Sequence, residues 1–366
     1  MQIDSAILKN EESVIYKLRA LYKRHGYSYF KMSKFEEYDL YSTNKDFLVS
    51  DGVITFTDTN GKLMALKPDV TLSIVKNFRD EENTVQRVYY NENVYRIKDQ
   101  STGYREIMQT GLECLGDITD YNLCEVVYLS AESLRMISEN SILTLSNLGV
   151  VNAILKDLSL GEDKGTLLSC IDTKNTADIR NICERNSVSA GDTELICALA
   201  EAYGAPSDVL RKIEALTDRE DIISPLKKLA WIAGEVSKMT DVRITVDLSI
   251  VNDTNYYNGL VFRGFVRGLP SVVLTGGQYD KLMKKMKKNA GALGFAVYLD
   301  QLELTEKKKE FDTDVLLLAS EGDLPGDVLR RALEITNSGK TVTVQSKIPK
   351  KLTYGKIETV TGGAEK

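Results

Sequence analysis

The residue types best suited to ligand chemistry lie together in one stretch, Val88–Glu113. Its first half carries Arg96, and its second half carries Gln109 and Glu113. Side chains alternate between the two faces of a strand, so residues 109, 111 and 113 share one face. A cation, an amide and a carboxylate are costly to bury without partners. The stretch therefore predicts either a solvated hairpin face or a pocket for a small molecule that carries both charges, such as an amino acid.

A second group of candidates follows the dipeptide Lys67–Pro68. The proline ends a strand, and Asp69 is expected to be the N-cap of a helix that runs through Phe78. Capping is the ordinary role of Asp69 and Thr71. A helix that starts beside the hairpin would instead allow both side chains to bind the ammonium group of a ligand.

The histidine and cysteine content excludes other chemistries. The single histidine, His25, stands in the tail of a predicted amphipathic helix, where a surface position is the ordinary expectation. One histidine rules out a multi-histidine metal site and leaves a single base for any Ser–His or Cys–His nucleophile system. The five cysteines lack metal-type spacing, and their odd number fits reduced thiols in a cytoplasmic protein. We expect neither a metal nor a cofactor.

Length and charge restrict the class of protein. A chain of 366 residues is long enough for two or three domains, and its hydrophobic content of 43% is ordinary for a globular protein. The net charge of -6 does not favour a dedicated nucleic-acid binder. No apolar run approaches the ~20 residues that span a bilayer, and residues 1–13 lack the pattern of a secretory signal. These features predict a cytoplasmic protein.

Strand and helix patterns place the candidate residues in an α+β core. We predict a helix over Ile7–Arg24, a hairpin of Val53–Thr57 with Lys62–Leu66, and a return strand over Glu106–Leu115. Asp99–Gly103 has the composition of a turn between the two arms of the central hairpin.

The second half of the chain changes character twice. Residues 149–235 are helix-rich and predict a helical insertion, after which strand patterns return. Gly276–Gly277 predicts a turn, with close approach of the backbone to a ligand as the alternative. Five lysines between Lys281 and Lys288 predict a solvated helix face, with a phosphate or an acidic partner as the alternative. The other predicted elements are helix Asp120–Ser138, strands Ile142–Leu145, Val242–Val251, Leu260–Phe265 and Ser271–Leu274, and a buried helix over Gly294–Leu302.

A charged linker at residues 303–310 divides the chain into two predicted domains. Residues 1–305 form the core with its helical insertion, and residues 306–366 form a small α/β unit. In that unit we predict strand Asp314–Ala319, helix Asp327–Thr336 and strand Thr341–Gln345, followed by a polar tail. Its size is at the low end for independent stability.

Several segments, in this order, resemble class II histidyl-tRNA synthetases, from about residue 5 to about residue 305. KPDVT at 67–71 resembles the family's Arg-Pro-acid-x-Thr, and VYRIKDQSTGYREIMQTGLE at 94–113 resembles motif 2. NDTNYYNG at 252–259 resembles Arg-Gly-Leu-Asp-Tyr-Tyr-Thr-Gly. GGQYDKL at 276–282 and GALGFAVYLDQL at 291–302 resemble the last two core segments, the second being motif 3. The resemblance implies a class II antiparallel sheet core flanked by helices.

The resemblance also implies roles for the residues of a histidine pocket. Arg96 takes the position that binds the ligand carboxylate and the α-phosphate, and Gln109 and Glu113 line the amino-acid pocket. The two tyrosines of NDTNYYNG lie beside the histidine side chain. The implied pocket consists of Asp69, Thr71, Arg96, Gln109, Glu113, Tyr256 and Tyr257.

Departures from the synthetase pattern at four positions bear on the function. Asn252 and Gln301 stand where the family has arginines that contact phosphate, and a neutral amide cannot copy a bidentate Arg–phosphate contact. Loss of one preorganised charge costs ~10²–10³ in rate, so loss of both implies no adenylate formation above background. Arg263 replaces the acid of the Val-Phe-Glu segment, and Met108 replaces the usual histidine before Gln109. The C-terminal unit is also shorter than the anticodon-reading domain of the synthetases.

A synthetase body with these departures resembles the regulatory subunits of ATP phosphoribosyltransferase. The resemblance implies a homodimeric core inside a hetero-oligomer, commonly four plus four chains, with the short-form catalytic subunit at the first step of L-histidine biosynthesis. Such a subunit has no catalysis of its own, activates its partner and helps to confer feedback control by histidine. Histidine would bind in the ancestral pocket or at the subunit contact, and neither tRNA nor a membrane would be a partner. Two alternatives stay open, an active histidyl-tRNA synthetase and a stand-alone histidine-binding paralogue.

Overall fold

The structure is a computed structural model that describes residues 10–48, 52–97, 103–251, 256–300, 302 and 311–360. The chain divides into two compact units, Met1–Thr305 and Glu306–Lys366. Most of the predicted hairpin turn and the charged linker at 303–310 lie outside the described residues.

Strands supply the scaffold of the first unit. In its described part they are, in chain order, β1 (Ser28–Tyr29), β2 (Phe35–Glu37), β3 (Thr55–Thr57), β4 (Leu63–Leu66), β5 (Val85–Ile97), β6 (Tyr104–Gly116), β7 (Ser141–Asn147), β8 (Tyr203–Gly204), β9 (Arg243–Asp247), β10 (Leu260–Val266), β11 (Leu274–Gln278) and β12 (Gly291–Tyr298). Among the described residues, nine strands form one sheet in the order β1-β5-β6-β12-β11-β10-β7-β9-β8. Strands β2, β4 and β3 form a second, small sheet.

The central hairpin is confirmed as the antiparallel pair β5–β6. Its register is continuous from Val85 opposite Gly116 to Ile97 opposite Tyr104. Most other neighbours in the large sheet are also antiparallel, whereas β1–β5 and β7–β9 are parallel. An uninterrupted ladder of this length fixes which residues of β6 face each side, because a slip of one residue would reverse every side chain.

Helices pack on both faces of the large sheet. In chain order, the helices of the first unit are α1 (Asn10–Arg24), α2 (Tyr38–Ser42), α3 (Thr71–Asn77), α4 (Asp120–Ile137), α5 (Leu148–Leu155), α6 (Asp163–Asp172), α7 (Thr176–Arg185), α8 (Ala190–Glu201), α9 (Pro206–Glu214), α10 (Glu220–Ser237) and α11 (Asp280–Lys285). Helices α5–α10 follow one another within residues 148–237. A membrane-spanning helix, which must be both long and apolar, is not found in the described part of the chain.

The two faces of the sheet carry different apolar clusters. One cluster joins α1 and α4 to the sheet, and within it the Tyr22 hydroxyl lies 2.9 Å from Ser133 Oγ and the Tyr22 ring packs edge-on against Phe295. The other cluster joins α3 and α11 to the same sheet and contains Tyr90 and Tyr279. The polar side chains of the predicted pocket belong to this second side.

Three predictions between residues 271 and 302 are wrong. The strand expected over Ser271–Leu274 begins only at Leu274, where β11 starts, because residues 271–273 still belong to the preceding turn region. Gly294–Leu302 was expected to be a buried helix, but Gly291–Tyr298 is strand β12, which pairs with both β6 and β11. A continuous apolar run does not distinguish a buried strand from a buried helix. Gly276–Gly277 lies inside strand β11 rather than at a turn. A Cβ on Gly276 would lie 2.4 Å from the Phe262 ring, so this strand needs glycine for close packing.

The second unit is a small parallel α/β layer. It contains β13 (Thr313–Leu318), α12 (Pro325–Asn337), β14 (Val342–Gln345) and β15 (Tyr354–Thr359), with strand order β14-β13-β15. The first three elements agree with the predicted ones. The predicted polar tail instead contributes β15, which pairs in parallel with β13. Its sequence, YGKIET, is too polar to stand out as a strand.

Candidate functional site

A cavity of about 490 Å³ lies on the side of the sheet that carries α3 and α11. All seven residues of the predicted pocket line it: Asp69, Thr71, Arg96, Gln109, Glu113, Tyr256 and Tyr257. They come from the start of α3, from β5 and β6, and from the segment before β10. The fold therefore brings together side chains that are almost two hundred positions apart in the chain.

Glycines of β11 and β12 make room for side chains of the cavity. The register places Glu113 of β6 opposite Gly294 of β12, and Gly294 opposite Gly277 of β11. A Cβ on Gly294 would lie 1.7 Å from Glu113 Oε2, and a Cβ on Gly277 would lie 2.8 Å from the Tyr257 ring. The two glycines thus leave the space that the carboxyl group and the tyrosine ring occupy.

Glu113 is the most deeply buried acid of the site. Its side chain accepts hydrogen bonds from Thr71 Oγ1 at 2.9 Å and from the Tyr279 hydroxyl at 2.6 Å, and the residue is 2% exposed. Burial raises the pKa of Glu113 to about 8, although the bonds from Tyr279 and Thr71 oppose this rise. A carboxyl group with such a pKa can change its charge near neutral pH when a cation or a hydrogen-bond donor binds beside it.

Asp69 and Arg96 face each other at the start of α3. Asp69 Oδ1 accepts the Leu72 backbone N–H at 2.9 Å, which gives this side chain the capping contact expected of it. Arg96 Nε donates to Pro68 O at 2.7 Å, and its Nη2 lies 3.8 Å from Asp69 Oδ2. Burial raises the pKa of Asp69, and the nearby Arg96 guanidinium lowers it again. The pair can therefore bind the two opposite charges of a zwitterion.

Aromatic rings form one wall of the cavity. The Tyr256 ring centroid lies 4.7 Å from that of Tyr257, 5.8 Å from that of Tyr279 and 6.2 Å from that of Phe47. Burial raises the pKa values of Tyr256 and Tyr279 well above the ordinary value, so both hydroxyls stay neutral and can donate hydrogen bonds. Such a wall suits a flat ring that carries its own polar atoms.

Gln109 brings an unused donor to the same cavity. The residue is 2% exposed, and within the described part of the chain its Nε2 has no hydrogen-bond partner. A buried donor left unsatisfied costs about 1–3 kcal/mol, and an acceptor on a ligand would remove that cost. The cavity therefore contains an amide donor that is ready for a ligand oxygen or nitrogen.

The arrangement as a whole matches a small amphoteric molecule. Acceptors are supplied by Asp69 and Glu113, and donors by Arg96 and Gln109, beside an aromatic wall. Charged groups of both signs within a largely buried cavity favour a ligand that satisfies each of them. The described residues include no group of three or more His, Cys, Asp or Glu side chains that could hold a metal ion.

Comparison with known proteins gives the family. The family model for histidyl-tRNA synthetase matches residues 3–302. The ATP phosphoribosyltransferase regulatory subunit of Caldanaerobacter subterraneus subsp. tengcongensis is 30% identical over 301 residues, which cover 80% of this chain and 78% of that protein. This chain belongs to the histidyl-tRNA synthetase-like ATP phosphoribosyltransferase regulatory subunits. The regulatory subunit of Alkaliphilus metalliredigens is 25% identical over 334 residues, covering 88% of this chain and 84% of that protein.

Solved structures show the same fold. An ATP phosphoribosyltransferase regulatory subunit/histidyl-tRNA synthetase from Bacillus halodurans C matches with a TM-score of 0.73 at 20% identity, covering 98% of this chain and 96% of that one. A chain of the ATP phosphoribosyl transferase (HisG:HisZ) complex from Thermotoga maritima matches with a TM-score of 0.62 at 19% identity, covering 78% and 96%. The expected class II synthetase-like α+β architecture is thereby confirmed.

Several residues of the cavity in this family member were not among the predicted site residues. Tyr279 donates a hydrogen bond to Glu113, the most buried acid of the site. Tyr90 and Phe47 also line the cavity. The hydroxyl groups of Thr275 and Tyr298 are hydrogen-bonded to each other at 2.8 Å. Tyr279 lies in the GGQYDKL segment that resembles the synthetases, and this was the available signal. Tyr298 lies in the GALGFAVYLDQL segment, which also resembles the synthetases, and Tyr90 lies in the stretch Val88–Glu113. Phe47 and Thr275 enter through loop packing and cross-strand register, which the sequence does not display.

The two positions that decided against synthetase activity, Asn252 and Gln301, lie outside the described residues. Arg263, noted as a departure, lines the cavity. His25 follows α1, is about one-third exposed, and has its Nδ1 3.6 Å from Glu125 Oε1, away from the residues of the cavity. Lys67 is fully buried and forms an ion pair with Glu92.

Proposed function

We propose that this protein is a non-catalytic regulatory subunit of a cytoplasmic complex. It activates the short-form catalytic subunit of ATP phosphoribosyltransferase, at the first step of L-histidine biosynthesis, and helps to make that enzyme sensitive to histidine. The observation that carries the proposal is the retained cavity, in which all seven residues expected for an amino-acid pocket meet. Membership of the regulatory-subunit family supports the choice of pathway.

Histidine fits the polarity of the cavity. We place its ammonium group at Asp69 and Thr71, and its carboxylate at Arg96, whose guanidinium already lies beside Asp69. Its imidazole then reaches Glu113 and the tyrosine wall, where it can donate to the carboxylate. Burial makes each of these contacts stronger than it would be in water, because every group is held in a medium of low dielectric.

Absence of catalysis follows from the cations that this sequence lacks. Asn252 and Gln301 replace two arginines that bind phosphate in the synthetases, and an amide carries no charge with which to stabilise a transferring phosphoryl group. The seven residues expected for the amino-acid pocket do not include those two positions. A chain that binds histidine without activating it is suited to sensing rather than to aminoacylation.

Regulation requires only that histidine binds two states of the complex with different affinity. A coupling of about 1–3 kcal/mol, typical of allosteric proteins, changes an affinity roughly 5- to 150-fold. We propose a homodimer of this chain within a hetero-octamer of four regulatory and four catalytic chains. Neither tRNA nor a membrane is a partner in this proposal.

Mixing this chain with a short-form catalytic chain from the same organism tests the proposal. The expected results are a higher turnover than that of the catalytic chain alone and a larger species on gel filtration. An unchanged turnover together with unchanged elution volumes would contradict it. Denatured regulatory chain at the same concentration serves as the control for unspecific effects.

An active histidyl-tRNA synthetase is the alternative that the family match over residues 3–302 supports. An active synthetase would catalyse histidine-dependent exchange between ATP and pyrophosphate, which the proposal excludes. A stand-alone histidine-binding paralogue would bind histidine but leave the catalytic chain unchanged. The exchange assay and the mixing experiment together distinguish the three functions.

A further inference from the structure

Arg263 brings a second guanidinium to the cavity, on the opposite side from Arg96. It lies on β10, and the strand order separates β10 from β5, which carries Arg96, by four steps. At about 4.8 Å per step, the two residues stand about 19 Å apart across the strands. The register aligns Arg263 with Tyr90 of β5, and Arg96 lies six residues further along that strand, which adds an offset of about 20 Å. Contacts with Pro68 and Asp69 hold the Arg96 guanidinium on its own side. One carboxylate therefore cannot bind both guanidinium groups, and a histidine molecule supplies only one carboxylate.

Hydrogen-bond donors continue from Arg263 across the cavity floor. Arg263 pairs in register with Thr275 of β11, whose Oγ1 lies 2.8 Å from the Tyr298 hydroxyl of β12. Tyr298 in turn lies opposite Gln109 of β6. Only one hydroxyl proton is needed between Thr275 and Tyr298, so the other remains available for donation. A guanidinium carries five N–H donors, so Arg263 can bind a ligand in addition to its contacts within the protein.

Two of the acids that line the cavity, Glu113 and Asp69, lie at a different place, and the third, Asp46, precedes Phe47, whose ring packs against Tyr256. Glu113 is four residues from Gln109 along β6, about 13 Å at the rise of a strand. Asp69 stands at the start of α3, beside Thr71, which is hydrogen-bonded to Glu113. The cavity therefore has an acidic end, where an ammonium or imidazole group binds, and a separate end rich in donors, where an anion binds.

We infer that Arg263, with the hydroxyl pair Thr275–Tyr298 and the amide of Gln109, forms a subsite for a phosphate-class oxyanion that binds beside the amino acid. This inference rests on the proposed function, because histidine is placed at the end formed by Asp69 and Glu113. The volume of about 490 Å³ lies in the range that accepts ligands larger than one free amino acid. The acid expected at position 263 from the synthetases would repel such an anion, so the subsite is a property of this chain.

Calorimetric titration of the full chain with inorganic pyrophosphate tests the subsite. Wild type is compared with Arg263→Gln and with the matched control Arg267→Gln, whose arginine is exposed just beyond the end of the same strand. Loss of a charge-assisted contact predicts roughly 10- to 100-fold weaker pyrophosphate binding for Arg263→Gln. The control variant binds like wild type. Absence of binding to wild type, or equal binding to Arg263→Gln, overturns the inference.

Histidine titrations with and without saturating pyrophosphate locate the anion. Simultaneous binding, with no competitive loss of histidine affinity, supports a subsite at Arg263. A histidine Kd that rises in proportion to the pyrophosphate concentration would place the anion at Arg96 and overturn it. Parallel titrations with inorganic phosphate and AMP distinguish a free oxyanion from a nucleotide. If pyrophosphate binds through Arg263 while histidine does not bind at all, the subsite stands and the histidine pocket of the proposed function fails.

Discussion

The buried acid Glu113 allows the electrostatics of the cavity to be tested without any ligand. The Glu113→Gln substitution keeps the size of the side chain and its hydrogen bonding to Thr71, but makes it neutral at every pH. In the folded protein the pKa of Glu113 is about 8, compared with an ordinary value of 4.5. This difference corresponds to a free energy on the order of 4–5 kcal/mol.

The direction in which stability changes with pH follows from the number of protons that the folded and unfolded states bind. Between pH 4.5 and about 8 the folded wild type holds one more proton at Glu113 than the unfolded chain does, so its free energy of unfolding falls as the pH rises. Below pH 4.5 the carboxyl group is protonated in both states, so it does not lower the free energy of unfolding. The glutamine variant lacks this dependence. We therefore expect Glu113→Gln to gain stability over wild type on going from about pH 5 to about pH 8, by several kcal/mol.

Urea unfolding at a series of pH values measures the difference in stability between wild type and Glu113→Gln. Unfolding is monitored by circular dichroism and by the fluorescence of Trp231, the single tryptophan. The matched control is Glu201→Gln, because Glu201 has a 57% exposed side chain and no place in the cavity. Its stability profile should run parallel to that of wild type. Parallel profiles for wild type and Glu113→Gln would refute the burial-driven pKa and the polarity assigned to the cavity.

Three further predictions concern the ligand and the fit of the cavity. Histidine should raise the Tm of wild type, and Glu113→Ala or Arg96→Gln should abolish the rise in differential scanning fluorimetry; an unchanged wild-type Tm at saturating histidine would leave the pocket without support. Gly294→Ala should lower the free energy of unfolding by about 1–3 kcal/mol and remove histidine binding, because its Cβ would lie 1.7 Å from the Glu113 carboxylate. The control Gly322→Ala, which has open space around it, should have neither effect. Histidine binding should become tighter as the pH rises from about 6 to about 8, because a bound imidazole favours the ionised form of Glu113. Calorimetry in buffers of different ionisation enthalpy should show that protons are released on binding. Proton uptake would contradict the placement of the imidazole beside Glu113.

The central hairpin and the start of α3 were predictable because their signals are local. Period-two alternation specifies β5 and β6, and a proline followed by Asp69 marks the end of a strand and the start of a helix. The resemblance to the synthetases then supplied the long-range step, since it connected Asp69 and Glu113 with Tyr256. All of these side chains line one cavity. That these side chains bind histidine is a prediction, which the binding measurements above test.

The failures have physical causes as well. The prediction of a helix over Gly294–Leu302 fails because the apolar run of β12, buried on both faces, has no period that distinguishes a strand from a helix. Its Gly294 leaves room for the Glu113 side chain, which the register places opposite. Phe47 and Thr275 reach the cavity through loop packing and strand register, neither of which has a sequence pattern of its own. The strand β15 is polar, and parallel pairing with β13 rather than composition makes it a strand.

The most direct test of the central claim is a histidine titration of the turnover of the mixed complex. With wild-type regulatory chain, turnover should exceed that of the catalytic chain alone and should fall as histidine is added. With Glu113→Gln, more histidine should be needed for the same fall, whereas Glu201→Gln should match wild type. A mixture whose turnover equals that of the catalytic chain alone, or whose histidine response is identical with all three regulatory chains, would contradict the account.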